Sequence, residues 1–170
     1  VSQGERTLCE MKNGKTFVTW ESSVPQEEIY LVAGKFESYE KLKDGFTAMV
    51  FLRSPDKELA DRYLDATIRY ITLYEYMIGP YPYKKFALVE NFWETGFGMP
   101  SFTLLGPKVL RFPFILKSSY PHEILHTWWG NTVYPDYAKG NWSEGLTAYL
   151  SDHLMKEQDG LGTEHRLTTL

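Results

Sequence analysis

The chain has 170 residues, of which 43% are hydrophobic and 24% charged, with a net charge of -4. Its 18 basic and 22 acidic residues are well mixed, so no basic stripe points to nucleic acid, and no apolar run approaches the roughly 20 residues of a membrane span. Cys9 is the only cysteine, which excludes an internal disulfide framework.

The first fifty residues read as strands and turns. "TFVTWESSVP" is a β-type run closed by Pro25, and Ile29 to Ala33 in "EIYLVAGKFESYE" read as a buried strand. "DGFTAMVFLR" follows an Asp44-Gly45 turn signal and puts Phe46, Ala48, Val50 and Leu52 on one face. Ser54-Pro55-Asp56 then reads as a helix start, with a capping hydroxyl and proline at the first position. Leu59, Tyr63, Ala66, Tyr70, Leu73 and Met77 form one helical stripe, which Gly79-Pro80 stops. The change of texture places a boundary near Arg53.

Phe86 to Val89 and Ser101 to Leu105 read as strands, with a glycine-rich turn or irregular edge from Glu94 to Pro100 between them. Ser118 or Ser119 caps the next helix, which Gly130-Asn131 ends. Asn141 or Ser143 caps a further helix that stops near Gly160, and "LGTEHRLTTL" starts another. The fold class is α+β.

His122-Glu123-Ile124-Leu125-His126 is H-E-x-x-H. Residues four apart share a helix face, so both imidazoles can reach one zinc at about 2.0–2.1 Å. Glu123, one position round, can flank the metal and act as general base toward a zinc-activated water, whose pKa falls to about 7. The bare pattern arises by chance in about 0.01 of chains of this composition, so it needs support. Ile124, Leu125, Trp128 and Trp129 give that support, because they should bury the helix and leave its histidines in need of partners. A catalytic zinc also needs a third ligand, and Glu144 lies one turn into the next helix. Taken alone, Glu144 would read as a first-turn acid complementing the helix dipole.

"HEILHTWWGN", Trp142 and "EGLTAY" resemble the M1 family of zinc metallopeptidases, within the gluzincin group. The resemblance implies His122, His126 and Glu144 as ligands of one zinc ion and Glu123 as general base. It implies that residues 1–53 are the C-terminal end of an N-terminal β domain. Residues 54–170 would be the first part of a thermolysin-like catalytic domain, with a mixed sheet, the H-E-x-x-H helix and the ligand-glutamate helix. It also implies a peptide or protein substrate and a longer parent polypeptide, of which this chain is expected to be a portion with little or no activity alone.

Three departures qualify the match. Seventeen residues separate His126 from Glu144 where the family usually has 18, a loop-sized difference. The family's G-x-M-E-N, which reads a substrate's free amino group, aligns with Gly98, Met99, Pro100 and Ser101. These are the expected substrate-binding residues, but the acid is replaced by proline; Glu90 or Glu94 could substitute, with solvent exposure of both the slightly favoured reading. The family's transition-state tyrosine would lie beyond Leu170. "GFGMPSF" is expected to form the edge strand against which an extended peptide pairs. Two alternatives stay open: a related endopeptidase or altered-specificity exopeptidase of the M61-like group, which "NWSEGL" also resembles, and a zinc-binding module without turnover.

Overall fold

A computed structural model describes residues 1–169. Two antiparallel strands, β1 (Glu5–Lys12) and β2 (Lys15–Glu21), form a hairpin. A second sheet has five strands in the order β3-β4-β5-β7-β6, from β3 (Glu37–Lys43), β4 (Phe46–Leu52), β5 (Lys85–Glu90), β6 (Gly96–Met99) and β7 (Phe102–Leu105). The turns that join β1 to β2 and β3 to β4 are Asn13-Gly14 and Asp44-Gly45. All four of these residues have positive φ, the conformation that two-residue hairpins select.

The sheet is mixed. β4 runs parallel to β5, and β5 to β7, while β3 and β6 close the two edges antiparallel. The α1 helix (Lys57–Met77) makes the crossover from β4 to β5. Its buried side includes Leu59, Tyr63, Leu64, Tyr70, Ile71 and Tyr74, which pack on Ala48, Val50, Leu52, Phe86 and Leu88 of the sheet. Met49, Phe51, Ala87, Val89, Phe102 and Leu104 face the other way, under Trp20, Tyr30, Val32 and Phe36. Both faces are covered, so β5 is buried along its whole length, as a central parallel strand should be.

The sheet spans the change of texture near Arg53, with β4 before it paired to β5 after it. Three expectations are corrected here. Residues 29–33 form no strand; Leu31 makes one isolated bridge to Ser2, while Ile29 and Leu31 face solvent and only Tyr30 and Val32 pack inward. The cap of α1 is Asp56, whose carboxylate accepts from the Leu59 amide at 3.0 Å, two residues later than the serine. The glycine-rich segment is a regular edge strand, β6.

The remaining helices are α2 (Ser119–Leu125), α3 (Trp142–Ala148), α4 (Leu154–Gln158) and α5 (Gly162–Thr169). A π turn, Tyr149–His153, joins α3 to α4 in one run. Asn141 caps α3, accepting from the Glu144 amide at 3.3 Å. α2 ends five residues before Gly130. Thr127 and Trp128 donate to the carbonyls of Ile124 and Leu125, three residues back, and this tightens and closes the last turn.

Candidate metal centre

α2 lies between the α1 layer and the edge strand β6. Tyr120, Ile124 and Leu125 are its buried side. His122 and His126 emerge on the opposite side, half-buried. α3 meets the end of α2 through a partly buried hydrogen bond: Trp129 Nε1 donates to Thr147 Oγ1 at 2.9 Å. Trp129 follows His126 by three residues and Thr147 follows Glu144 by three, so this bond fixes the two ligand-bearing segments relative to each other. Trp128 secures the same turn to the segment just past the end of α1, donating to the Gly79 carbonyl at 3.2 Å.

The result is a convergence of donors. His122 Nε2 lies 3.1 Å from Glu144 Oε1, His126 Nε2 lies 3.4 Å from Glu144 Oε2, and the two Nε2 atoms are 3.2 Å apart. Ligands about 2.0–2.1 Å from a tetrahedral zinc sit about 3.3–3.4 Å from one another, so this spacing fits one such ion. Two imidazoles and a carboxylate also match its N/O preference. His126 Nδ1 faces the Trp129 carbonyl at 3.4 Å, which leaves Nε2 for the centre. Burial, then the neighbouring His122, holds the His126 pKa below the usual histidine range. A neutral imidazole releases no proton on binding a metal.

Glu123 borders the same cavity but is not one of the converging donors. Its carboxylate rests against β6 at the two alternate glycines, Gly96 and Gly98. A Cβ at Gly98 would stand 2.7 Å from Glu123 Oε2, and one at Gly96 would stand 3.3 Å from Oε1. Only a bare backbone lets the acid approach this closely. Burial first, and the charge of Glu144 second, push the Glu123 pKa up to about 7. A cavity of about 350 Å³ opens over the group, lined by Gly96, Phe97, Gly98, Asn131, Tyr137 and Asn141 among others.

Of the expected substrate-binding residues, Gly98 borders this cavity, while Met99 packs toward the opposite face of the sheet. Pro100 and Ser101 are buried and are not among the residues that line it. Ser101 turns inward at φ 65°, and its hydroxyl is occupied by the Gly4 amide and the Lys85 ammonium. Neither substitute acid faces the centre. Glu90 is buried, accepting from Arg111 and the Arg53 amide, so it is not solvent-exposed as expected. Glu94 caps the backbone at Lys108 and Val109.

Three contributors escape the motif. Gly96 is recognisable only once Glu123 is placed beside it. Thr147 carries no sequence signal. Asp152 Oδ2 stands 4.0 Å from His122 Nδ1, close enough for electrostatic support but not for a hydrogen bond. It follows Glu144 by eight residues. The π turn adds a residue to the second turn and so shifts the shared face from the seventh to the eighth position.

No protein-family model matches the chain. Its fold is similar to that of an M1 zinc metallopeptidase from Deinococcus radiodurans, at 17% identity and TM-score 0.69 over 94% of this chain and 38% of that one. A mutant M1 zinc metallopeptidase from the same organism, bound to a Tyr-Ser-Ala substrate, aligns at 17% identity and TM-score 0.71, over 100% of this chain and 42% of that one. Yeast LTA4 hydrolase in complex with bestatin aligns at 20% and 0.72, over 95% and 25% respectively. At these identities the likeness establishes the fold: the chain has the α+β architecture of part of these enzymes, and spans less than half of their length.

Proposed function

We propose that the chain carries the metal-binding part of a zinc-dependent peptidase of M1 aminopeptidase-like type. The observation that carries this reading is the convergence of His122, His126 and Glu144 within 4.8 Å of one another, with Glu123 seated beside them on a glycine edge. His122, His126 and Glu144 would hold the ion. Zinc bound there supplies Lewis acidity toward a peptide carbonyl and toward water.

The protein's own groups do the rest. Glu123 takes a proton from the attacking water and passes it to the leaving amine. β6 is a sheet edge beside the cavity, where an extended substrate backbone can pair. The partners implied are a peptide or protein substrate and the remainder of a longer polypeptide. Among the described residues no helix is long and apolar enough to cross a membrane.

A second reading concerns specificity, and one observation favours it. No acid of the segment 90–101 faces the cavity, because Glu90 and Glu94 are bound elsewhere and Pro100 is buried. A peptidase so built would not select for a free amino terminus through this segment. The full-length protein assayed on matched free and N-blocked peptides tests both readings. Cleavage of either that is lost in Glu123→Gln supports the peptidase, and cleavage of neither refutes it. Equal cleavage of the blocked peptide supports the second reading, and a strict need for a free amine refutes it.

A further inference from the structure

Lys85 is enclosed by the fold, at 1% exposure, and makes no ion pair among the described residues. Burial holds its pKa well below the usual lysine range, and its nitrogen has acceptors within hydrogen-bond reach. Nζ donates to the Ser2 carbonyl at 2.7 Å and to the Ser101 carbonyl and hydroxyl at 3.0 Å each. The Trp20 and Phe102 rings stand 5.0 Å and 5.2 Å from it, within cation–π range. Enclosing a charge is costly unless hydrogen bonds compensate it, and an apolar side chain of the same length would fill the space without that cost. What the Lys85 nitrogen adds over such a side chain is a set of bonds that join separate segments.

Those segments bear on the metal centre. Ser2 and Gly4 belong to the N-terminal stretch, and the Gly4 amide donates to the same Ser101 hydroxyl at 3.0 Å. Trp20 belongs to the β1–β2 hairpin. Ser101 sits in the tight reversal from β6 to β7, where Met99 faces Phe102, and its left-handed backbone is unfavourable for an L residue unless neighbours hold it. The next residue back along β6 from Met99 is Gly98, against which the Glu123 carboxylate rests. The far end of β6 is tied separately, by the Gly106 amide on the Thr95 carbonyl at 2.9 Å.

We propose that Lys85 is a positioning residue for the metal centre: the hydrogen bonds of its Nζ clamp the Ser101 reversal to the N-terminal segment and so fix β6 against Glu123. Docking of the N-terminal segment and the geometry of the substrate-facing edge are thereby one linked feature. The clamp stands on geometry alone; its catalytic consequence rests on the peptidase reading.

Hydrogen exchange on the zinc-loaded protein tests the clamp without needing activity. Lys85→Met keeps the volume and removes the donors, with Lys84→Met, an exposed neighbour, as control. Peptides covering residues 95–103 should exchange about tenfold faster in Lys85→Met, while those covering α2 stay as in wild type and zinc content is unchanged. Unchanged protection of 95–103, or an equal loss across α1 and α2, overturns the proposal. If Lys85→Met does not fold, Ser101→Ala removes the hydroxyl that accepts from both Lys85 and the Gly4 amide, and is judged by the same segments. In a peptidase assay the clamp should appear mainly as a raised KM, about fivefold, and a change in kcat alone would contradict it. If wild type cleaves nothing, the peptidase reading fails, while hydrogen exchange still decides for or against the clamp.

Discussion

Gly98→Ala asks whether the bare edge of β6 is what lets Glu123 work. The backbone there is not in the left-handed region, so alanine is allowed and the strand should survive. The added methyl would stand 2.7 Å from Glu123 Oε2, where ordinary contact begins at 3.4 Å. The carboxylate must therefore retreat by about 0.7 Å, and as the far end of a flexible side chain it can do so at little cost to the fold. Function should be less forgiving, since a misplacement of about 1 Å can cost a hundredfold in rate. The expected fall in kcat/KM on a peptide substrate is about 10- to 100-fold. Zinc content should not change, because the methyl meets a ligand residue only at His126 Cβ, at an ordinary 3.4 Å. Activity within twofold of wild type would refute the argument that the glycine exists for Glu123. A loss of zinc would show that the strand supports the ligands rather than the base.

The raised Glu123 pKa makes a prediction for the metal-free protein. The folded value of about 7 lies above the ordinary 4.5, so the folded state holds this proton more tightly than the unfolded state. The associated stability is fully present below about pH 4.5 and is lost as pH rises through about 7, an effect on the order of 2–3 kcal/mol. Urea unfolding of chelator-treated protein should find Glu123→Gln more stable than wild type by about that amount at pH 8 and nearly equal at pH 5; the same difference at both pH values would contradict the assignment. Thr147→Val keeps the shape but leaves the Trp129 indole without its acceptor, which should cost about 1–3 kcal/mol in thermal unfolding. It should also weaken zinc about tenfold in competition with a chelator; unchanged affinity would mean that the bond does not set the spacing of Glu144 from the histidines.

Local patterns carried far in this chain. Alternation in residues 46–52 gives the inward face of β4, and the spacing of Leu59, Tyr63, Ala66 and Tyr70 gives the buried side of α1, because burial repeats with backbone geometry. The H-E-x-x-H spacing with Glu144 likewise anticipates a convergence that the fold produces. What stayed hidden depends on partners distant in sequence. Residues 29–33 are apolar enough for a strand but have only the first few residues to pair with, so two of the large side chains stay outside. Ser101 looks like a site residue by its place after Met99, yet a φ of 65° turns it toward Lys85, sixteen positions earlier. The sheet crosses the change of texture at Arg53 because β4 needs β5 as its neighbour, a pairing no local pattern encodes. The early end of α2 is set by carbonyls three residues back, not by Gly130.

The most direct test of the central claim is zinc content by atomic emission on dialysed protein. Wild type should hold one zinc per chain, Glu123→Gln should keep it, and His126→Ala should lose it, because His126 supplies one of three converging donors while Glu123 supplies none. Wild type without zinc above the buffer background, or His126→Ala with a full equivalent, would contradict the account.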